Sequence, residues 1–261
     1  MSRDVLTQER WEARWAASEI DYNPATEPQL RDSLGLITRF WPNPTGRFLE
    51  AGCGPAANAL NLARLGVDVA GVDTSSEAVR RAEDAFARRG LRGRFVVGDV
   101  RELPFGDGSF DFVYAGGVVE HFVETRQAVV EMARVLRPGG RLLFTVPALT
   151  LSYPYLFLRG NVPAVPFIEE AVRFVQFRLL KGALATFGYE RSFRRRAVRL
   201  LLKDAELAAV DVGRFDTHIP LLKIPRPLRG SARRLARVDL FAPMYYGTGT
   251  RRLGPRADAT G

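Results

Sequence analysis

Phe48-Leu49-Glu50-Ala51-Gly52-Cys53-Gly54-Pro55-Ala56-Ala57 is the stretch that decides the fold of this chain. An apolar run closing on a glycine turn reads as a buried strand, Arg47–Ala51, entering a loop. Ala56–Leu65 then carries helical spacing until Gly66 terminates it. The alternation continues downstream. Val67–Val72 reads as a second strand ending on Asp73, Ser76 caps a helix running to about Arg89, and Arg94–Val97 is a third strand. Phe110–Ala115 is a fourth, Glu124–Leu136 a helix stopped by Pro138-Gly139-Gly140, and Arg141–Val146 a fifth. Strands spaced by helices of about ten to fifteen residues predict βαβ units, hence an α/β fold with a mostly parallel sheet covered by helices on both faces.

The flanks read differently. Trp11 and Trp15, four apart among charged neighbours, predict a short amphipathic helix with an aromatic edge, and a second helix spans Gln29–Phe40 before Trp41-Pro42-Asn43-Pro44-Thr45-Gly46 stops it. Residues 1–45 are therefore an N-terminal helical lid on a core at 46–147. After Pro147 the rhythm breaks into a helical insertion at 148–190, with a helix from about Pro166 to Leu184. Its Phe167, Ile168, Ala171, Val172, Phe174, Val175, Phe177, Leu179 and Leu180 form an arc apolar enough to require burial. Residues 191–250 complete the sheet, with a helix at Ser192–Ala205 and strands at Ala208–Phe215 and Met244–Thr250, and 251–261 is expected to be a disordered tail.

With 261 residues, 46% of them apolar, the chain can bury one large core plus an appended subdomain. No stretch approaches the roughly 20 apolar residues of a membrane span. A charged N-terminus without an apolar leader and a single cysteine, Cys53, predict a cytoplasmic protein without an intrachain disulfide. Charge is uneven: residues 1–150 hold eighteen basic and twenty acidic side chains, and residues 151–261 hold twenty basic and nine acidic. That basic half suits an anionic substrate, an anionic membrane face or nucleic acid, or serves solubility alone in a chain with 35 Arg and 3 Lys.

Gly52-Cys53-Gly54-Pro55-Ala56-Ala57 satisfies the G-x-G-x-x-G/A pattern, and Asp73 ends the next strand where a ribose-binding carboxylate belongs. A dinucleotide and S-adenosylmethionine (SAM) both fit these features, since each needs close backbone approach and an acceptor for ribose hydroxyls. Glu50 separates them. A carboxylate there repels a pyrophosphate but favours the ammonium and sulfonium of SAM.

At this point the chain resembles the class I SAM-dependent methyltransferases over roughly residues 30–147. Phe48–Gly54 resembles their first motif, Val72-Asp73 the acidic end of the second strand, Gly98-Asp99-Val100-Arg101-Glu102-Leu103-Pro104-Phe105 the adenine-side loop, and Arg134–Phe144 the turn into the fifth strand. The resemblance implies a Rossmann-like, doubly wound, mostly parallel seven-stranded sheet, with SAM as cofactor and S-adenosylhomocysteine as product. It implies that Glu50, Gly52 and Gly54 line the methionine part, that Asp73 binds the ribose hydroxyls, and that Asp99 with the Val100 backbone addresses adenine. Cys53, Thr74 and Gly116 complete the expected cofactor contacts; Cys53 reads as a small filler rather than a reactive thiol, because no second cysteine or paired histidine adjoins it.

SAM is an activated donor, so the protein has mainly to align a nucleophile and exclude water. A hydroxyl nucleophile benefits from a base. His121, after the fourth strand in Gly117-Val118-Val119-Glu120-His121, is the candidate, its alternative being a structural cap. Ubiquinone-pathway O-methyltransferases and small-RNA 3′-end methyltransferases carry a Glu-x-x-Glu-His metal site in this segment. Here Gly117 replaces the first carboxylate, leaving two local ligands, so no metal is expected unless the insertion supplies others. For the substrate, Tyr153, Tyr155 and Tyr189 are candidate pocket aromatics and Arg194 a candidate anion contact. The expected acceptor is a hydroxyl of a small or medium-sized metabolite, such as a sugar, glycolipid precursor or secondary metabolite, anionic if the basic half engages it. The alternatives are a small-molecule N-methyltransferase, an RNA or DNA methyltransferase using the basic half, and a non-enzymatic SAM-binding subunit. No nucleic-acid module is visible, so nucleic acid is not the expected partner. Peripheral membrane contact and a homodimer both remain open through the apolar helix of the insertion.

Overall fold

A computed structural model describes residues 3–158, 160–180, 183, 188–215, 227, 230, 231, 234 and 238–253. The first four strands fall within a residue of where apolar patterning puts them, β1 (Arg47–Ala51), β2 (Asp68–Asp73), β3 (Arg94–Val97) and β4 (Phe110–Gly116), and the fifth, β5 (Leu136–Pro147), is longer than expected. Between them lie α3 (Ala57–Ala63), α4 (Ser76–Ala87) and α5 (Thr125–Arg134), preceded by α1 (Arg3–Ala17) and α2 (Pro28–Phe40). Beyond them come α6 (Tyr153–Phe157), β6 (Asn161–Pro163), α7 (Ile168–Arg173), β7 (Glu190–Ser192), α8 (Arg195–Asp204), β8 (Leu207–Arg214) and β9 (Met244–Arg251). Seven strands form one sheet in the order β3-β2-β1-β4-β5-β9-β8, in which β9 runs antiparallel to both neighbours and the other pairings are parallel. This is the expected doubly wound architecture.

Strand alternation sorts the core into two layers. Leu49, Val113 and Phe144 face α5 and α8 through Ala128, Met132, Val198 and Leu202, whereas Phe48, Phe112 and Leu143 face α2, α3 and α4 through Ile37, Leu60, Ala82 and Phe86. Full burial of side chains this large contributes roughly 1.5–3 kcal/mol each. Trp41, expected only to stop a helix, lies over this second layer, with its ring centroid 5.0 Å from that of Phe112.

Several expectations are corrected. Ser75, not Ser76, is the N-cap of α4, because its Oγ accepts from the Ala78 amide at 3.1 Å. β5 begins at Leu136 rather than Arg141: Leu136 pairs with Phe110, and the Pro138-Gly139-Gly140 turn is absorbed as an irregularity of the β4–β5 ladder instead of preceding the strand. Arg251, placed by the sequence in the tail, is instead the last residue of β9, and its guanidinium donates to the carbonyls of Arg134 and Leu136; 254–261 lie outside the described residues.

The insertion departs furthest. Its helix is short, α7 passes into a wider π-helical turn at Phe174–Leu179, and the expected burial fails: Phe167 is 88%, Leu179 60% and Phe174 56% exposed. The buried member is Gln176, whose Nε2 donates to the Asn161 carbonyl at 3.2 Å. The inner side of this segment faces backbone carbonyls that need a donor, and the widened turn carries the apolar arc outward. Its expected end near Leu184 lies outside the described residues. The short parallel pair β6–β7, with Asn161 opposite Glu190, was not expected at all. Among the described residues no helix is long and apolar enough to cross a membrane.

Candidate active site

The carboxyl ends of β1, β2, β4 and β5 open into one cavity of about 760 Å³. Parallel strands of an open sheet present their C-terminal ends together, so the loops after them share one crevice. Every expected cofactor residue lines it: Glu50, Gly52, Cys53, Gly54, Asp73, Thr74, Asp99, Val100 and Gly116, together with His121.

The glycine loop needs its glycines for shape and space. Gly52 has φ +69°, and a Cβ there would fall 2.4 Å from Val118 Cγ2; at Gly54, φ +50°, it would fall 2.8 Å from the Trp15 ring. The loop is tied to β2 by Asp73, whose Oδ2 accepts from the Gly54 amide at 2.8 Å while Oδ1 accepts from the Ser75 amide at 2.9 Å. Burial pushes the Asp73 carboxyl up in spite of these bonds. Its remaining lone pairs are free to receive a diol.

Glu50 is 5% exposed; Oε1 accepts from Asn58 Nδ2 at 2.7 Å and Oε2 from the Ala59 amide at 2.9 Å, which seats the first turn of α3 on β1. Burial pushes its carboxyl up to about 7, the two hydrogen bonds opposing. Cys53 is buried, and burial, with Asp73 and Glu50 beside it, drives its thiol well up, the state of an inert filler. Asp99 accepts from the Arg101 amide at 2.8 Å and pairs with the Arg101 guanidinium at 2.7 Å, so the adenine-side carboxylate has a cation in attendance. A glycine cradle, a carboxylate at the end of β2, a second one on the next loop and a buried Glu50 fit a nucleoside with a cationic tail.

Past Gly116 the cavity ends on a wall of Glu120, His121, Asn161 and Glu190. Glu120 and His121 are 2% and 7% exposed and sit on a 3-10 turn, Val119–His121, that follows β4. His121 Nδ1 lies 2.8 Å from the Tyr189 carbonyl, a contact that places the proton on Nδ1 and leaves a lone pair on the other ring nitrogen. Asn161 Nδ2 donates to Glu190 Oε2 at 2.9 Å, joining β6 to β7. Burial, then the neighbouring Glu190, pushes the Glu120 carboxyl well up.

The N-terminal helix α1 lies along the cavity. Gln8, Trp11, Arg14 and Trp15 line it, Trp11 stacks on Trp15 at 5.4 Å, and its ring meets His121 edge-on at 5.5 Å. Glu12 fastens the helix by accepting from Ser75 Oγ and the Ser76 amide, each at 2.8 Å, at the N-terminus of α4. Partial burial pushes the Glu12 carboxyl up, yet these bonds hold it below its usual range.

The substrate candidates are not brought together. Tyr153 and Arg194 line a separate pocket of about 460 Å³ with Leu149, Pro163 and Ile168. Tyr189 is 2% exposed and binds Glu169 Oε1 through its hydroxyl, so it contributes its carbonyl rather than its ring to the site. The side chain of Tyr155 lies outside the described residues. Sequence reasoning missed Glu190 and Asn161, which come from the irregular insertion 29 positions apart, and it met Glu120 only as half of an incomplete motif. A pair of three-residue strands gives no periodic signal; the one cue was an acidic residue and an asparagine inside an otherwise apolar, aromatic stretch.

A methyltransferase-domain family profile matches residues 49–144. A demethylmenaquinone methyltransferase of Thermus thermophilus is 32% identical over 182 residues, covering 63% of this chain and 80% of that protein. A malonyl-[acyl-carrier protein] O-methyltransferase of Enterobacter lignolyticus is 29% identical over 227 residues, covering 87% of this chain and 86% of that protein. Of several further curated relatives the chain spans only 39% to 47% of the length. Among solved structures, the geranyl diphosphate C-methyltransferase of Streptomyces coelicolor A3(2), in complex with Mg2+, geranyl diphosphate and S-adenosylhomocysteine, superposes with TM-score 0.65 over 96% of this chain and 98% of that one at 13% identity, a likeness of fold.

Proposed function

We propose that this chain, which belongs to the class I SAM-dependent methyltransferases, transfers the methyl group of SAM to a hydroxyl of a small or medium-sized metabolite. Its cofactor is SAM. Bound SAM supplies a methyl group on a sulfonium, an electrophile that needs no further activation. The chain's own residues do the rest. Gly52 and Gly54 admit the tail, Glu50 balances its ammonium, Asp73 accepts from the ribose hydroxyls, and Asp99 with the Val100 backbone takes the adenine edge.

The observation that carries the hydroxyl reading is the polar wall past Gly116. Two buried carboxyl groups and an imidazole with an available lone pair are acceptors for a hydroxyl proton. The same carboxylates beside an amine would hold it as an ammonium, whose lone pair is tied up, so they disfavour N-transfer. A cavity of about 760 Å³ partly covered by a tryptophan-bearing helix suits a compact acceptor better than a nucleic acid strand. In the reaction the acceptor oxygen forms its bond to the methyl carbon as the C–S bond breaks, and the hydroxyl proton leaves toward the wall that holds His121. Trp11 and Trp15 over the cavity keep water from competing.

Two relatives favour small acceptors by name, a demethylmenaquinone and a malonyl group on its carrier protein. The exposed Phe167, Phe174 and Leu179 offer the surface on which a homodimer would form. The deciding experiment transfers labelled methyl from SAM into a metabolite extract and identifies the product by mass spectrometry. An O-methyl ether supports the reading; label confined to esters, to carbon, to amines or to RNA overturns it.

A further inference from the structure

We infer that Glu120, His121 and Glu190 form a divalent-cation site of the Mn2+ type at the acceptor end of the cavity. One ligand atom from each of these three buried residues lies within 4.8 Å of the others. Ligands on opposite sides of an ion at about 2.1 Å stand about 4.2 Å apart, so drawing the set in by roughly half an ångström gives coordination distances. Two carboxylates with one imidazole suit Mn2+ in hardness and charge, and the open cavity beside them leaves positions for oxygen ligands.

A second, independent observation points into the same spot. Glu120 is 2% exposed, yet its Oε2 has no hydrogen-bond partner. A buried carboxylate oxygen left empty is unfavourable unless something cationic or protic fills it. No Lys or Arg among the described residues does so: Arg191, the nearest in sequence to Glu190, is committed to Glu169 at 2.8 Å, and Arg101 to Asp99 at 2.7 Å. The outer contacts are those of ligands held in place. The Tyr189 carbonyl fixes the imidazole through Nδ1, Asn161 Nδ2 fixes Glu190 Oε2, and Gln176 in turn donates to the Asn161 carbonyl.

This site does not need a carboxylate at position 117. Its third ligand arrives 69 residues after His121, on β7, from the insertion. The role of the ion rests on the hydroxyl reading above: an acceptor oxygen would become a further ligand, coordination would ease passage of its proton to a wall carboxylate oxygen not bound to the ion, and the imidazole lone pair would serve the ion rather than act alone as a base. Binding of the ion does not rest on that reading.

The test titrates Mn2+ into the purified full chain, followed by electron paramagnetic resonance, with Mg2+ and Zn2+ as competitors. One ion per chain is expected, with affinity falling at least about tenfold in Glu190→Gln and in Glu120→Gln while both variants still bind SAM by calorimetry. Equal Mn2+ affinity in folded variants, or no stoichiometric binding by the wild type, overturns the site. Should a variant not fold, the wild type alone decides: bound Mn2+ must raise its melting temperature, and an unchanged melt rejects the proposal. Stoichiometric Mn2+ binding in a protein that methylates no hydroxyl would retain the site and reject the proposed function; O-methylation without Mn2+ binding would do the reverse.

Discussion

Glu50 offers the most quantitative handle. Its carboxyl is pushed by burial from an ordinary 4.5 to about 7. The sign follows from proton counting. Below about 4.5 the folded and unfolded chains both hold the proton and Glu50 contributes nothing. Between about 4.5 and 7 only the folded chain holds it, so rising pH favours unfolding, and above about 7 both have lost it and the penalty stays level. A displacement of that size corresponds to about 3 kcal/mol, at about 1.4 kcal/mol per pH unit. Glu50→Gln removes the charge and keeps the shape. The hydrogen bonds can be rebuilt: Asn58 Nδ2 now donates to Glu50 and its Oδ1 accepts from Ser33 Oγ at 2.6 Å. Turning the Asn58 amide over lets its oxygen accept from the new amide, while Ser33 Oγ, still donating to the Leu30 carbonyl, accepts from the amide nitrogen.

The assay is urea unfolding of both proteins without SAM across about pH 5 to 8. Asp73 is also pushed up, but it is common to both proteins, so their difference isolates Glu50. The two are expected to differ by less than about 1 kcal/mol near pH 5, with the variant about 3 kcal/mol more stable near pH 8. SAM reverses the preference, because its ammonium favours an ionised Glu50. Wild-type affinity for SAM should therefore tighten by up to about tenfold per pH unit below about 7 and then level off, with a flatter profile in the variant. Parallel stability curves over the whole range would refute the reasoning.

Gly52→Ala places a methyl 2.4 Å from Val118 Cγ2 at φ +69°, adding a strain of about 1–2 kcal/mol to a clash inside the cofactor loop. SAM affinity by calorimetry should fall at least about tenfold. Glu12→Ala frees the lid from the N-terminus of α4 at a cost of about 1 kcal/mol. Hydrogen exchange in Arg3–Ala17 should accelerate and SAM should dissociate faster, while equal exchange rates would show that the tryptophans alone hold the helix.

The sheet was legible because its central strands are short apolar runs set off by glycine turns and amphipathic helices: Arg47–Ala51 and Arg94–Val97 match to the residue. The cofactor side of the site was legible for the same reason, since the register of β1 and β2 places Glu50 and Asp73 on one edge. Glu190 and Asn161 were not, because the contacts that fix them are tertiary. Position 176 shows the failure most clearly: helical periodicity treats Gln176 as the interruption of an apolar face, whereas it turns inward and donates to the Asn161 carbonyl at 3.2 Å, a contact that only the tertiary structure brings about. Tyr153 and Arg194 failed because composition identifies residue types suited to a substrate but not which of two pockets they face.

The two-stranded pairing of β6 with β7 has a consequence for the sign of the pocket. It holds Asn161, Val162 and Pro163 against Glu190, Arg191 and Ser192, and Pro163 has no amide hydrogen to give. A slip of one position would turn Glu190 away from the cavity and present Arg191 instead, exchanging an anion for a cation at the acceptor end. So short a ladder cannot guard its own alignment. That task falls to Phe193, whose amide donates to the Pro147 carbonyl at 2.9 Å and whose carbonyl accepts from the Leu149 amide at 2.8 Å. A residue far from the glycine loop thereby sets the polarity of the chamber proposed for the acceptor.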